Sequence, residues 1–64
     1  MTILLENTDL PIRHLNIFRG SRIYTLAEAL QLSDKQLSEL PNSSVGIAKV
    51  LRTQLDRIVS QAHG

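Results

Sequence analysis

Apolar residues recur at helical spacing in several segments of this 64-residue chain, and the last of these segments is the longest. Between Ser44 and Gln61 the apolar positions form a single stripe, while most polar and charged residues fall outside it. The stripe consists of Ile47, Ala48, Leu51, Leu55, Ile58, Val59 and Ala62. This pattern predicts a long amphipathic C-terminal helix that forms the spine of the molecule.

Three shorter helices are predicted upstream of the long one. The first covers Ile12 to Arg19, because Pro11 suits a first helical turn and Gly20 is typical of a helix end. The second and third each begin with a capping box, in which Thr or Ser is followed three residues later by Glu or Gln. These boxes run from Thr25 to Glu28 and from Ser33 to Gln36, and their helices extend to about Gln31 and Leu40.

Residues 1–8 lack a helical period, since Ile3 and Leu5 alternate with other positions. This pattern predicts an extended arm that lies against the helices, and the alternative is that the chain end frays. Short helices bury an apolar face only against one another or against the long helix. We therefore predict an all-α fold in a single domain of residues 1–64, with an arm (1–8) and a compact, helix-hairpin-helix-like bundle (9–62). The expected core is Leu15, Phe18, Ile23, Leu26, Leu30, Leu37, Leu40, Leu51 and Leu55.

Composition narrows the classes of function. Hydrophobic residues make up 42% of the chain, enough for a compact core, but 64 residues are too few for a large internal active-site cavity. The chain has no cysteine, and His14 and His63 are far apart in sequence, so we expect no disulfide, metal site or cofactor. We do not expect an enzyme, because no nucleophile has a base at a useful spacing and no glycine-rich phosphate loop occurs.

The apolar runs are far shorter than the roughly 20 residues of a membrane span, and no basic segment precedes an apolar one as in a signal peptide. We therefore expect a cytoplasmic protein without a membrane anchor, and we take it to be a monomer.

The net charge of +1 conceals two basic stretches. Residues 10–27 hold Arg13, Arg19 and Arg22 with no acid, and residues 42–64 sum to +2, from three cations against Asp56. This distribution favours a local positive face, with scattered solvated arginines as the alternative.

Two features indicate a surface that contacts nucleic acid. Arg13 and Asn16 lie three residues apart, so they share one face of a helix. The turn from Leu40 to Gly46 leads into the long helix, whose first N–H groups lack intrahelical partners and attract phosphate oxygens.

The order of these motifs identifies a resemblance that covers about residues 8–60. The stretches that carry it are Leu10-Pro11-Ile12-Arg13-His14-Leu15-Asn16, Ile23-Tyr24-Thr25-Leu26-Ala27-Glu28-Ala29-Leu30, Ser33 with Leu37, Leu40-Pro41-Asn42, and Leu51 with Leu55. In this order and spacing they resemble the C-terminal domain of the bacterial RNA polymerase α subunit. The α subunit's N-terminal assembly domain and linker have no counterpart in the 64 residues, so we expect a free-standing relative of the C-terminal module.

The resemblance implies a helical bundle with a helix-hairpin-helix-like element that binds the minor groove of A·T-rich promoter DNA and is contacted by transcription activators. Arg13 and Asn16 occupy the positions of the family's DNA-contacting arginine and asparagine. An arginine there makes physical sense, because the negative potential of a narrow minor groove attracts it.

The hairpin before the last helix departs from the family pattern. Asn42 is kept, but Ser43 replaces an apolar residue and Ser44 replaces a glycine. Gly46 and Ile47 stand where a lysine and a serine usually lie. Loss of the lysine removes a phosphate contact and predicts weaker, less salt-dependent binding.

The sequence therefore suggests a set of candidate DNA-contacting residues, and for several of them it also allows an alternative, purely structural role. Arg13 pairs with Asp9 in the alternative, and Asn16 braces the hairpin backbone. Asn42 is then a turn or capping residue. The candidates are Arg13, Asn16, Arg19, Asn42, Ser43, Ser44, Gly46 and Lys49, with Arg52 as a further cation predicted on the exposed side of the last helix.

Three hypotheses for function follow. The first is a small transcription-associated module that binds A·T-rich DNA weakly. The second is a protein-interaction module that contacts RNA polymerase, a sigma factor or a transcription regulator without binding DNA, which the departures in the hairpin favour. The third is a helix-hairpin-helix accessory domain that contacts DNA phosphates without sequence preference.

Overall fold

The computed structural model describes the backbone of residues 2–63 and the side chains of residues 2–61. The predicted stripe residue Ala62 and the side chain of His63 lie outside the described residues. Within that part of the chain there are four α-helices: α1 (Ile12–Gly20), α2 (Leu26–Leu30), α3 (Asp34–Glu39) and α4 (Val45–His63). The prediction of an all-α bundle with three short helices and a longer C-terminal one is confirmed.

Both predicted capping boxes are present at the starts of α2 and α3. Thr25 Oγ1 accepts a hydrogen bond from the Glu28 N–H, and the Glu28 carboxylate accepts one from the Thr25 N–H, each at 3.2 Å. At α3, Ser33 Oγ accepts from the Gln36 N–H at 3.2 Å, and Gln36 Oε1 accepts from the Ser33 N–H at 2.9 Å. Each box satisfies amides that would otherwise lack a partner, which explains why helices of five and six residues begin where they do.

The chain leaves α1 through a left-handed residue that is Arg22 and not, as expected, Gly20. Gly20 is the last helical residue, and Arg22 has a φ of 61°. The Arg22 N–H donates to the Arg19 carbonyl at 3.0 Å, and the Ile23 N–H donates to the Phe18 carbonyl at 2.9 Å. This pair of bonds is the Schellman motif, in which glycine normally holds the position of Arg22.

A tight turn connects α3 to α4. The Ser43 N–H donates to the Leu40 carbonyl at 3.0 Å, and Asn42 between them has a φ of 65°. With Pro41 at the second position, this is the arrangement of a type II turn. The turn explains Asn42, because asparagine tolerates the left-handed region better than most residues.

The N-terminal arm is extended only as far as Leu4. The Leu5 N–H donates to the Tyr24 carbonyl and the Leu26 N–H donates to the Ile3 carbonyl, both at 2.9 Å, so the arm pairs with the segment before α2. The chain then forms a single 3-10 turn over Leu5–Asn7, which the predicted fully extended arm did not include. This turn directs Leu5 into the core, where its side chain is fully buried.

The core agrees with the prediction in its centre and differs at its edges. Leu15, Ile23 and Leu40 are partly buried against it, but Leu30 is 38% exposed at the end of the short α2. Ile12 is 73% exposed, because the buried side of α1 centres on Ile17 and Phe18 and Ile12 lies on the opposite side of the helix. The buried residues are Leu5, Leu10, Ile17, Phe18, Leu26, Ala29, Leu37, Ala48, Leu51, Leu55 and Ile58.

Candidate nucleic-acid interface

A side-chain hydrogen bond joins α1 to the middle of α4. His14 Nδ1 lies 2.7 Å from Gln54 Oε1, and both residues are partly buried. Since an amide oxygen only accepts hydrogen bonds, Nδ1 carries the hydrogen and donates it. The bond fixes the helix that carries Arg13, the residue before His14, relative to α4.

On another side of α4, Arg52 makes the contact with α3. Arg52 Nε lies 3.0 Å from Asp34 Oδ1, and the same guanidinium donates to the Leu32 carbonyl. Arg52 and Gln54 are two residues apart, which is about 200° around the helix, so α1 and α3 contact opposite sides of α4. Arg52 therefore binds Asp34 and the Leu32 carbonyl within the protein, and it is not the exposed cation that the sequence predicted.

Arg13 and Asn16 are both exposed on α1. Neither alternative predicted for them is observed within residues 2–61. Arg13 forms no ion pair with Asp9, and Asn16 forms no hydrogen bond to the hairpin before α4. Their side chains are accordingly available to a ligand.

The three candidate residues of the hairpin have different surroundings. Asn42 is exposed and holds the left-handed position of the turn, while Ser44 caps α4, its Oγ accepting from the Ile47 N–H at 3.2 Å. Ser43 Oγ is buried and has no hydrogen-bond partner among the described residues. Because the Ser43 N–H already donates to the Leu40 carbonyl, this residue offers no accessible donor, unlike the DNA-contacting residue that the sequence predicted.

The start of α4 presents backbone amides. The N–H groups of Val45 and Gly46 precede the first bonds of the helix and have no acceptor in the described part of the chain. Gly46 is exposed, and a Cβ added there would meet only Ser44 Oγ, at 3.9 Å. The fold therefore does not require glycine at this position. Without a side chain, Gly46 leaves the N–H groups of Val45 and Gly46 accessible to a ligand.

The two remaining predicted cations differ in whether they are paired. Arg19 Nη2 lies 3.0 Å from Glu6 Oε2 across the arm, so its charge is balanced locally. Lys49 is exposed and belongs to neither ion pair of the described residues.

Arg57 is a further exposed cation, which the sequence did not single out. It lies on the same face of α4 as Gly46, at a spacing of eleven residues or three helical turns. That spacing was the signal available in the sequence. The same region holds Gln54, eight residues and about 12 Å along the helix from Gly46.

Comparisons with models of known families, with curated proteins and with solved structures find no match to this chain. The resemblance to the C-terminal domain of the polymerase α subunit therefore stays a prediction. Among the residues that the structure describes, no three His, Asp or Glu side chains are grouped as a metal site. No helix in the same part of the chain combines the length and apolar character needed to cross a membrane.

Proposed function

We propose that this protein is a small, non-enzymatic, transcription-associated module that binds duplex DNA weakly, favouring A·T-rich minor grooves. One observation carries the proposal. The exposed Arg13 stands on a helix that His14 ties to α4, and the same helix α4 begins with open amides at Val45 and Gly46. Gln54, the residue of α4 that bonds His14, lies about 12 Å along the helix axis from Gly46. That is well below the roughly 34 Å of one duplex turn, so a single DNA segment can touch both groups of donors.

The chemistry of these groups suits a minor groove. Its negative potential attracts the guanidinium of Arg13, and the N3 and O2 acceptors of its base edges can accept hydrogen bonds from the Asn16 amide. The helix-start amides bind phosphate oxygens and thereby fix the orientation of the module. A preference for A·T-rich over G·C-rich duplexes follows from groove width and from the guanine amino group, which obstructs the minor groove.

The second candidate function is a protein-interaction module that contacts RNA polymerase, a sigma factor or a transcription regulator. The observation that favours it is the hairpin, where the Ser43 hydroxyl is buried and Gly46 carries no charge. Fewer phosphate contacts lower DNA affinity, and a surface with low DNA affinity is free to serve a protein partner.

The decisive experiment is a titration of ¹⁵N-labelled protein with an A·T-rich and a G·C-rich duplex at low and moderate salt. We expect amide shifts confined to residues 10–16 and 41–50, larger for the A·T-rich duplex and reduced by salt. Arg13→Ala should abolish the shifts. The matched control is Arg22→Gln, which also removes one positive charge but lies beyond the C-terminal end of α1, nine residues from Arg13 and outside the candidate residues.

Absence of shifts at low salt with either duplex would reject DNA binding. Retention of labelled protein on immobilised RNA polymerase or a sigma factor would then support the second function. Equal losses in Arg13→Ala and Arg22→Gln would mean that binding depends on net charge alone and not on the candidate interface.

A further inference from the structure

A shallow groove of about 300 Å³ lies on the exposed side of α4, away from the hairpin. It is formed entirely by residues of this one helix, and its two ends carry positive charges. Lys49 lies nearer the hairpin and Arg57 lies farther from it, and Val50 between them is 45% exposed. The lining residues are Lys49, Val50, Thr53, Gln54 and Arg57.

The groove continues the candidate interface in a straight line. Gly46, Val50, Thr53 and Arg57 follow one another at intervals of four, three and four residues. On an α-helix this spacing keeps them within about 40° of a line parallel to the axis, over a length of about 16 Å. Gln54, which holds α1 through His14, forms one wall of the same groove. We call Gly46, Val50, Thr53 and Arg57 the α4 stripe.

The net charge of this surface is positive. Arg19 and Arg52 are neutralised by Glu6 and Asp34, whereas Lys49 and Arg57 belong to neither of these ion pairs within residues 2–61. The only acid in the sequence of α4 is Asp56. It is about 100° around the helix from Arg57 and lies off the α4 stripe, but it is about 20° from Lys49 and about 10 Å farther along the axis, which leaves two cations against one acid on this surface.

We propose, on the basis of the proposed DNA-binding function, that the DNA backbone runs along the α4 stripe and that Lys49 and Arg57 bind its phosphates. The two cations are about 12 Å apart along the helix, far enough for each to contact a different phosphate of one strand. Val50 lies between them against the sugar surface. Lys49 and Arg57 thereby supply the phosphate charge that Gly46, at the family's lysine position, does not.

Phosphate binding separates this role from that of Arg13. A contact with the backbone is independent of base sequence, so it changes affinity for all duplexes by the same factor. Each phosphate contact also adds about 0.9 to the slope of log K against log salt, which is about an eightfold effect on affinity at 0.1 M salt. Arg13 in the minor groove changes the ratio between A·T-rich and G·C-rich duplexes instead.

The test measures binding of A·T-rich and G·C-rich duplexes by fluorescence anisotropy between 0.03 and 0.2 M salt. Lys49→Gln and Arg57→Gln should each lower affinity about eightfold at 0.1 M salt and reduce the salt slope by about 0.9, equally for both duplexes. Arg22→Gln, beyond the end of α1, serves as the matched control and should leave the slope unchanged. All three side chains are exposed, and thermal unfolding of each variant verifies that the fold is retained.

Three outcomes overturn the proposal. If the unaltered protein binds DNA and both glutamine variants keep its slope, the α4 stripe does not contact phosphates, while the proposed function stands. If the unaltered protein does not bind either duplex, the proposed function and the stripe fall together. If Lys49→Gln and Arg57→Gln lose binding to a polyglutamate peptide but not to DNA, the groove serves an acidic protein.

Discussion

Ser43 and Ser44 are neighbours whose hydroxyl groups have opposite surroundings. Ser43 Oγ is buried without a hydrogen-bond partner among the described residues, while Ser44 Oγ caps α4. A buried hydroxyl without a partner costs about 1–3 kcal/mol. A serine cap stabilises its helix by about 1 kcal/mol.

Ser43→Ala should therefore raise the free energy of unfolding by about 1 kcal/mol, and Ser44→Ala should lower it by about the same amount. Urea unfolding followed by circular dichroism measures both, and each variant serves as the control for the other. A loss of stability in Ser43→Ala would show that its hydroxyl has a partner, such as an ordered water.

Gly20 and Arg22 stand in positions where each would be better replaced. Gly20 has no positive φ, and a Cβ there meets nothing within 4 Å, so the helix bears the entropic cost of glycine without using its freedom. Arg22, with a φ of 61°, occupies a conformation in which glycine carries no steric penalty.

We expect Gly20→Ala to stabilise the protein by about 0.5–1 kcal/mol, and Arg22→Gly to stabilise it by about 1 kcal/mol. Thermal unfolding of the two variants, alone and combined, tests this expectation. Gly20→Pro and Arg22→Val should instead destabilise the protein. If Arg22→Val were stabilising, it would contradict the left-handed conformation of residue 22.

At the scale of the element, the two capping boxes differ in one respect, which is the charge of the residue that closes them. The hydroxyl of Thr25 is the main cause that lowers the pKa of Glu28 below 4.5, and the N–H groups of Tyr24 and Thr25 add to it. A carboxyl with a lowered pKa stabilises the fold above the pKa it has in the unfolded chain, and this contribution is lost as the pH falls through the folded value. Gln36, in the box of α3, is uncharged and adds no such dependence.

Glu28→Gln should accordingly leave stability near neutral pH almost unchanged, because glutamine also closes a capping box. It should flatten the fall in melting temperature between pH 5 and pH 3. The reciprocal change, Gln36→Glu, should steepen the same fall. Thermal melts followed by circular dichroism across that pH range test both expectations. If both variants showed the same fall in melting temperature as the unaltered protein, neither box would contribute to the pH dependence.

On the scale of the whole molecule, the bond between His14 and Gln54 holds α1 against α4 across 40 residues of sequence. Because α1 carries Arg13 and α4 carries the helix-start amides, this bond sets the distance between the two halves of the candidate interface. Its loss should affect both stability and DNA binding.

We expect His14→Leu and Gln54→Leu to show a coupling of about 0.5–1.5 kcal/mol in a double-mutant cycle of unfolding free energies. Each single variant should also weaken binding of the A·T-rich duplex. Additive effects, with no coupling, would mean that α1 is held by apolar packing alone.

Features encoded within a few residues were predictable. The capping boxes at Thr25 and Ser33 were predicted because the bonded residues are three positions apart. The apolar side of α4 was predicted because its residues recur every three or four positions. The register of α1 was not, since a nine-residue helix with Ile12, Leu15, Ile17 and Phe18 has apolar residues on more than one side. Only contact with the rest of the core selects which of them are buried.

The candidate interface divides in the same way. Arg13, Asn16 and the turn at Asn42 were singled out as candidates from the sequence, and the left-handed φ of Asn42 follows from a local turn. The inward direction of Ser43 and the pairing of Arg19 with Glu6 had no local signal. Arg57 has a regular spacing from Gly46, but its exposure depends on which sides of α4 the other helices cover.

The amino-acid order suffices for the existence, approximate length and start of the four helices, since capping and apolar periodicity act within one or two helical turns. Packing between distant segments determines the rest. It buries Leu5, neutralises Arg19 and Arg52, and leaves Arg13, Lys49 and Arg57 exposed. These outcomes depend on contacts between residues 13 to 40 positions apart in the sequence. Such residues meet only in the folded chain, because closing the loop between them costs conformational entropy that local patterns do not reveal.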